Sequence, residues 1–248
     1  MTHHSGRILA ASIEVGDHPH VKFLGLTFNV DTMYTTALAA TVTVLFLWWV
    51  ARKATSGVPG RAQIIVETVL GQVRTYVEDA VGHDVPSWLV PLGFALFFFI
   101  LFCNWLEWIP SGHHPERFAP PTADINLTLA LTTVVVAGYT YIGFKRKHFR
   151  YVTGMFTAKP PVVGAFIAIV IDQIANPLAL ALRLFGNVLA SGVMLAVIAL
   201  LPVYLFWMYG PFNVIWKLFD IGLIFPIQAF IFAFLTILYF GLALADEH

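Results

Sequence analysis

Pro161 to Leu201 is an unbroken apolar run in which Asp172 and Arg183 are the only charged residues. As one helix it would reach about 60 Å, twice a hydrocarbon core of about 30 Å. No hydrophilic turn interrupts it, so two upright membrane spans are not expected. The run predicts a single long, steeply inclined helix, bent at Pro177. An arginine at the centre of a membrane helix costs roughly 2.5–3.5 kcal/mol on insertion scales. Such a residue marks an ion path or a partner's charge by default.

The spacing narrows its surroundings. At about 100° per residue, Asp172, Asn176, Arg183, Asn187 and Ser191 fall within a roughly 100° arc. Ala179, Gly186 and Ala190 sit beside that arc and keep its surface low. Asp172 and Arg183 are separated by about 16 Å along the helix, too far to pair within it. Arg183 therefore calls for a counter-charge or polar partner from elsewhere.

The rest of the chain agrees with a membrane setting. Of 248 residues, 58% are hydrophobic and 11% charged, which points to a polytopic membrane protein. Net charge is zero and no basic block suits nucleic acid. Cys103 is the single cysteine, so no disulfide forms within the chain. The pairs His3-His4 and His113-His114 lack metal-ligand spacing, and neither metal nor cofactor is expected. No phosphate loop and no nucleophile with a base is visible. A cleavable signal peptide is not expected.

Taken in order, residues 1–31 read as a loosely ordered outer segment. Residues 32–53 read as a transmembrane helix, closed by Trp48-Trp49 and Arg52-Lys53. Those aromatic and positive signals put its end in the cytoplasm and the N-terminus outside. Residues 58–82 read as an amphipathic helix on the cytoplasmic surface, with Ile64, Ile65, Val69, Val73, Tyr76 and Val77 on its apolar side. Residues 87–110 and 123–146 read as a transmembrane hairpin. Its outer end holds Asn104, Glu107, Asp124 and Asn126, and its return ends in the basic cluster Lys145 to Arg150. Residues 161–201 and 211–245 read as two long inclined helices joined by a turn that Pro202 and Gly210-Pro211 bracket. The fold class expected is thus an all-α polytopic membrane protein, with its C-terminus cytoplasmic.

Folding the last two helices about residues 206–207 puts Asp220 level with Ser191 and Gly192. It also puts Gln228 level with Arg183, to within a turn or so. Asn213, Lys217, Asp220 and Gln228 share a face of the last helix. Asp172 then lies towards the cytoplasm and Asp220 towards the outside. Two acidic stations on opposite sides of a central arginine suit two offset aqueous half-paths separated by a fixed positive charge. Plainer readings stand beside this one. Asn176 and Asn187 can be interhelical hydrogen bonds, Gln228 can be structural, and Glu107 and Asp124 lie where carboxylates need no special reason.

Asn104-x-x-Glu107-x-x-Pro110, Ala123-Asp-Ile-Asn126, Arg183-Leu-Phe-Gly-Asn187 and Gln228-Ala-Phe-Ile-Phe232 occur in this order along the chain. In these motifs the sequence resembles the a subunit of the F-type ATP synthase membrane sector, in its bacterial form. The resemblance runs from about residue 32 to 245. It implies a stator beside a rotating ring of c subunits, a peripheral-stalk b subunit as a further partner, and a bacterial cell membrane as the location. Protons would enter one half-channel, neutralise a ring carboxylate, ride the ring and leave by the other. Arg183 would face the ring and separate the half-channels, with Gln228 beside it. Arginine stays protonated and so cannot itself become a leak. The subunit would carry no catalytic activity of its own.

Two departures stand out. Where the family often has a carboxylate nine residues after the arginine, this chain has Gly192, and the family's histidine position in the last helix is Ile221. Asp220, next to it, is expected to replace the outer-channel group. On the cytoplasmic side the family's acid falls at Ile169, and Asp172 lies about one turn along the same face. A sodium-driven version of the same machine is the alternative, since the ring chooses the ion. A secondary transporter would show an internal repeat and broken helices around a midplane pocket, and neither is visible.

Overall fold

The computed structural model describes residues 20–23, 26–55, 60–81, 86–108, 120–147, 171–200 and 206–244. The expected start of the long inclined helix (161–170), residues 201–205 before the expected turn's centre, Pro110 and the end of the basic cluster lie outside the described residues. Helices dominate, as the composition requires. Among the described residues, five helices are long and apolar enough to cross a membrane: Val30–Lys53, Leu89–Trp108, Ile125–Arg146, Asn176–Ile198 and Gly210–Leu244. In hydrocarbon every backbone polar group must find its partner inside the chain, and the helix does this locally.

The described part of the N-terminal segment departs from the expectation of loose order. Strands β1 (His20–Phe23) and β2 (Leu26–Asn29) pair antiparallel, with His20 opposite Asn29 and Phe23 opposite Leu26. Each strand alternates apolar and polar residues, the period-two pattern of a strand. Helix α1 (Val30–Lys53) follows directly, with Asp31 in its first turn and Arg52 and Lys53 in its last, which complements the helix dipole. Arg52 lies over the Trp48 ring at 4.1 Å, and Lys53 over Trp49 at 4.4 Å. The hydroxyls of Thr35, Thr36, Thr41 and Thr43 bond back to carbonyls one turn earlier, so they add no unmet polarity to an apolar helix.

Helix α2 (Arg61–Val81) is amphipathic, but its buried stripe differs from the expected one. Gln63, Val66, Val73 and Val77 are buried, whereas Ile64, Ile65 and Tyr76 are exposed. The buried set steps by three and four residues, with half-buried Leu70 between Val66 and Val73. It faces helix α3 (Leu89–Trp105) and the last helix. Gln63 bonds Glu67 at 2.7 Å and the Thr55 carbonyl at 3.0 Å, tying the start of α2 to the end of α1.

A 3-10 turn, Leu106–Trp108, closes α3, and a second, Pro121–Ala123, leads into α4 (Ile125–Lys147). Helix α5 (Asn176–Ala199) follows a π-helical turn at Ile171–Ala175. Helix α6 (Phe206–Phe219) passes through a second π turn, Asp220–Ile224, into α7 (Phe225–Leu244). The core lies mainly between α3 and α7, where Leu89, Phe94, Phe98, Ile100, Phe225, Phe232, Ile237 and Phe240 are buried. Gly93 permits this approach, because a methyl there would collide with Ile237. Helix α5 packs on α4 and on α6, while α7 packs on α3, α4 and α2.

Gly210 and Pro211, expected beside a turn, lie inside α6. Proline forfeits one donor there, and continuing the helix keeps the neighbouring backbone groups paired. Near Pro177, where a bend is expected, a π turn ends two residues before the proline, and the second π turn ends two residues before Pro226. Each widened turn absorbs the clash and the missing N–H that the proline brings.

Candidate functional site

The polar stripe of α5 changes environment along its length. Arg183 is exposed, between exposed Ala179 and Leu182 on one side and half-buried Gly186 on the other. A side chain added at Gly186 would meet nothing within 4 Å, so this face is open. Leu180, Ala181, Leu184 and Val188 form the opposite, buried face. Eight residues on, about 12 Å along the axis and about 80° round it, Ser191 is buried. It faces the seam with the last two helices. Among the described residues the Arg183 guanidinium forms no ion pair or hydrogen bond.

At that seam Ser191 Oγ donates to Asp220 Oδ2 at 2.5 Å. Asp220 is 4% exposed and opens the second π turn. The Phe225 N–H donates to the Asp220 carbonyl, five residues back, which marks the inserted residue. In that register the Ile221 carbonyl would take its hydrogen bond from residue 226, but that residue is proline. Trp105 supplies the missing donor: its indole Nε1 bonds the Ile221 carbonyl at 3.3 Å. The end of α3 thus braces the turn that holds Asp220.

Beside it lies a small, partly open cleft lined by Glu107, Ser191, Lys217, Asp220 and the apolar Trp108 and Phe225. Glu107 comes from the 3-10 turn after α3 and interacts with Ser191 and with the charges of Asp220 and Lys217. Its Oε2 is buried with no hydrogen-bond partner. Asn187 Nδ2, Gln228 Nε2 and Trp216 Nε1 are buried and unpartnered as well. Buried polar atoms in this condition are the usual positions for ordered water. Gln228 is 7% exposed and forms no hydrogen bond to Arg183.

The carboxylate of Asp124 is bound differently. Asp124 Oδ2 accepts from Asn29 Nδ2 at 2.6 Å and Thr32 Oγ1 at 3.0 Å, and Oδ1 accepts from the Asn126 N–H at 2.9 Å. It caps α4 and fastens the start of α1 to it. Asn126 contributes its backbone to this cap, and its side chain is exposed. Asn104 Oδ1 accepts from Thr122 at 2.9 Å nearby. Asn176 is half-buried and engaged, and the Asp172 side chain lies outside the described residues. Among the described residues no group of three metal-ligating side chains occurs.

The structure therefore joins Ser191 with Asp220, and Glu107 with both, and leaves Arg183 apart on the open face. Lys217 belongs to the cleft although it was not among the candidates; its shared face with Asp220 was the available signal. Buried Asp31, 1% exposed, and Trp216 carried no sequence signal beyond their type.

Comparison with known proteins agrees with this arrangement of motifs. A family model described as ATP synthase A chain matches residues 33–241. A protein of Acidothermus cellulolyticus named ATP synthase subunit a is 40% identical over 97% of this chain and 89% of its own length. One of Mycobacterium bovis with the same name is 40% identical over 97% of this chain and 98% of its own. A more distant one, from Psychrobacter, is 32% identical over 90% and 85%. The chain belongs to the ATP synthase A chain family.

Proposed function

We propose that this multipass membrane subunit is the stator that carries protons to and from a rotating ring of c subunits in an F-type ATP synthase. Glu107, Ser191 and Asp220, with Asn187 leading inward, line the outer half-path. Asp124 and Asn126 stand at its outer rim. Asp172 and Asn176 serve the cytoplasmic half-path. Arg183 meets the ring carboxylates between the two, and Gln228 stands beside that crossing. The N-terminus lies outside and the C-terminus in the cytoplasm, by the excess of Lys and Arg at the ends of α1 and α4. A peripheral-stalk b subunit holds the stator against torque.

One observation carries this reading. On a single helix, an arginine without a partner among the described residues stands on an open face. About two turns away, a serine and two carboxylates close round a cleft. A membrane protein bears the cost of such an arginine where a mobile partner supplies the counter-charge. Small residues at Ala179, Gly186 and Ala190 let that partner come close.

The test is ATP-driven proton pumping in inverted vesicles carrying Arg183→Ala in an assembled complex. Pumping should fall below about 1% of wild type, and passive leak through the stripped membrane sector should rise. Normal coupled pumping would show that Arg183 is structural and would overturn the reading.

A further inference from the structure

We infer that Ser191 is the proton carrier between the two carboxylates of the outer path: its hydroxyl takes a proton from Glu107 while passing its own to Asp220. The inference rests on the proposed half-path and deepens it, by naming how a proton crosses from the turn after α3 to the turn between α6 and α7.

Three elements meet at this point. Glu107 enters from the 3-10 turn after α3, Ser191 from α5 and Asp220 from the second π turn. All three line one cleft. Ser191 Oγ donates to Asp220 Oδ2 at 2.5 Å, and Glu107 engages the same hydroxyl. A carboxylic acid hands its proton only to an acceptor within hydrogen-bond reach. For Glu107 that acceptor is the Ser191 oxygen. Its single O–H already points at Asp220, and its lone pairs remain to accept. Other buried hydroxyls behave differently. Thr35, Thr43, Thr132 and Thr236 are buried in apolar helices too, and each bonds back to a carbonyl of its own helix. That is the local way to satisfy a hydroxyl in an apolar helix. Ser191 instead reaches across to a carboxylate on another helix, so its hydroxyl serves the cleft.

The transfer is a paired exchange of bonds. The O–H bond of protonated Glu107 breaks as a new O–H bond forms at Ser191 Oγ. The original Ser191 O–H bond breaks as one forms at Asp220 Oδ2. One proton has crossed, and Glu107 carries the negative charge that Asp220 held. The serine ends as it began, a neutral hydroxyl, so no serine anion has to form in an apolar setting. Rotation about Cβ–Oγ turns the hydroxyl back to Asp220 once that proton has moved on.

The experiment is passive proton conduction through the stripped, membrane-embedded complex, normalised to the intact complex recovered. Ser191→Thr and Ser191→Val introduce side chains of the same shape that differ by a hydroxyl. Ser191→Thr should conduct within about threefold of wild type, and Ser191→Val should lose at least about a hundredfold. Ser191→Asn separates carrying a proton from holding a carboxylate. Its amide N–H can bond Asp220, but an amide does not pass a proton on, so conduction should be as low as for Ser191→Val. Near-normal conduction by Ser191→Val would overturn the hand-off, as would an equal loss in Ser191→Thr and Ser191→Val. Near-normal conduction by Ser191→Asn would show that Ser191 only holds Asp220, and would overturn it too. Asp220→Asn checks the underlying path. If conduction survives that change, the half-path itself lies elsewhere and the hand-off falls with it. If conduction is lost there but Ser191→Val conducts normally, the path stands and only the hand-off fails.

Discussion

Asp124 and Asp220 are both buried aspartates at the ends of apolar helical segments, 6% and 4% exposed, yet their surroundings differ in kind. Asp124 receives three hydrogen bonds, from Asn29, Thr32 and the Asn126 backbone, and they join α1 to the first turn of α4. Asp220 receives one direct hydrogen bond, from Ser191, and otherwise faces a cleft shared with Glu107 and Lys217. A saturated carboxylate holds elements together and resists protonation changes, because its donors would be stranded by them. A carboxylate with one neutral donor and access to water can exchange protons while its surroundings stay in place. Burial alone does not distinguish these roles. The number of donors and the presence of a cleft do.

The largest effect expected from this contrast is on conduction. Asp220→Asn keeps the shape and can keep a bond with Ser191, but it removes the titrating group. Proton conduction through the assembled membrane sector should fall at least about a hundredfold, as for other positioned acid–base groups. Assembly, read by recovery of the intact complex, should be unchanged. Conduction above half of wild type would erase the distinction between the two aspartates.

The converse change acts on stability. Asp124→Ala removes the acceptor shared by the Asn29 amide, the Thr32 hydroxyl and a first-turn N–H of α4. Losing a cap and leaving buried donors unmet costs roughly 2–4 kcal/mol. The complex should unfold at a lower denaturant concentration and assemble in lower yield. Conduction per assembled complex should stay within about threefold of wild type, since changes away from the reacting groups act mainly through stability. A hundredfold loss per complex would place Asp124 in the relay and show that saturation by donors is a poor guide.

The sequence made one side of this comparison more legible than the other. Apolar runs located the spans, because a bilayer demands length and apolarity and little else. Folding the last two helices about their turn brought Asp220 level with Ser191, since helical rise is regular. The donors to Asp124 were harder to see: Asn29 and Thr32 lie more than ninety residues away in the chain. The buried face of α2 was hidden for a related reason. Ile64 and Ile65 are as apolar as Val66, Val73 and Val77, and only contact with α3 and α7 decides which set is covered. Likewise, Gly210-Pro211 carries a turn signal that loses to the demand for paired backbone in an apolar setting.

The smallest expected effect tests how the Asp220 side of the comparison is built. Pro226 withholds the N–H that would serve the Ile221 carbonyl in the π turn, and Trp105 serves it instead. Trp105→Phe keeps an aromatic ring and removes the donor, at a cost of about 1 kcal/mol in stability. Proton conduction should fall about twofold to fivefold as the turn carrying Asp220 loses its brace. Pro226→Ala returns a backbone N–H at the vacant position. In that background, Trp105→Phe should cost clearly less, giving a coupling of about 0.5–1 kcal/mol in a double-mutant cycle read by denaturation of the detergent-solubilised complex. Strict additivity would mean that Trp105 acts through packing alone. The π turn that carries Asp220 would then owe nothing to a hydrogen bond from α3, and Ser191 alone would bond Asp220 from another helix.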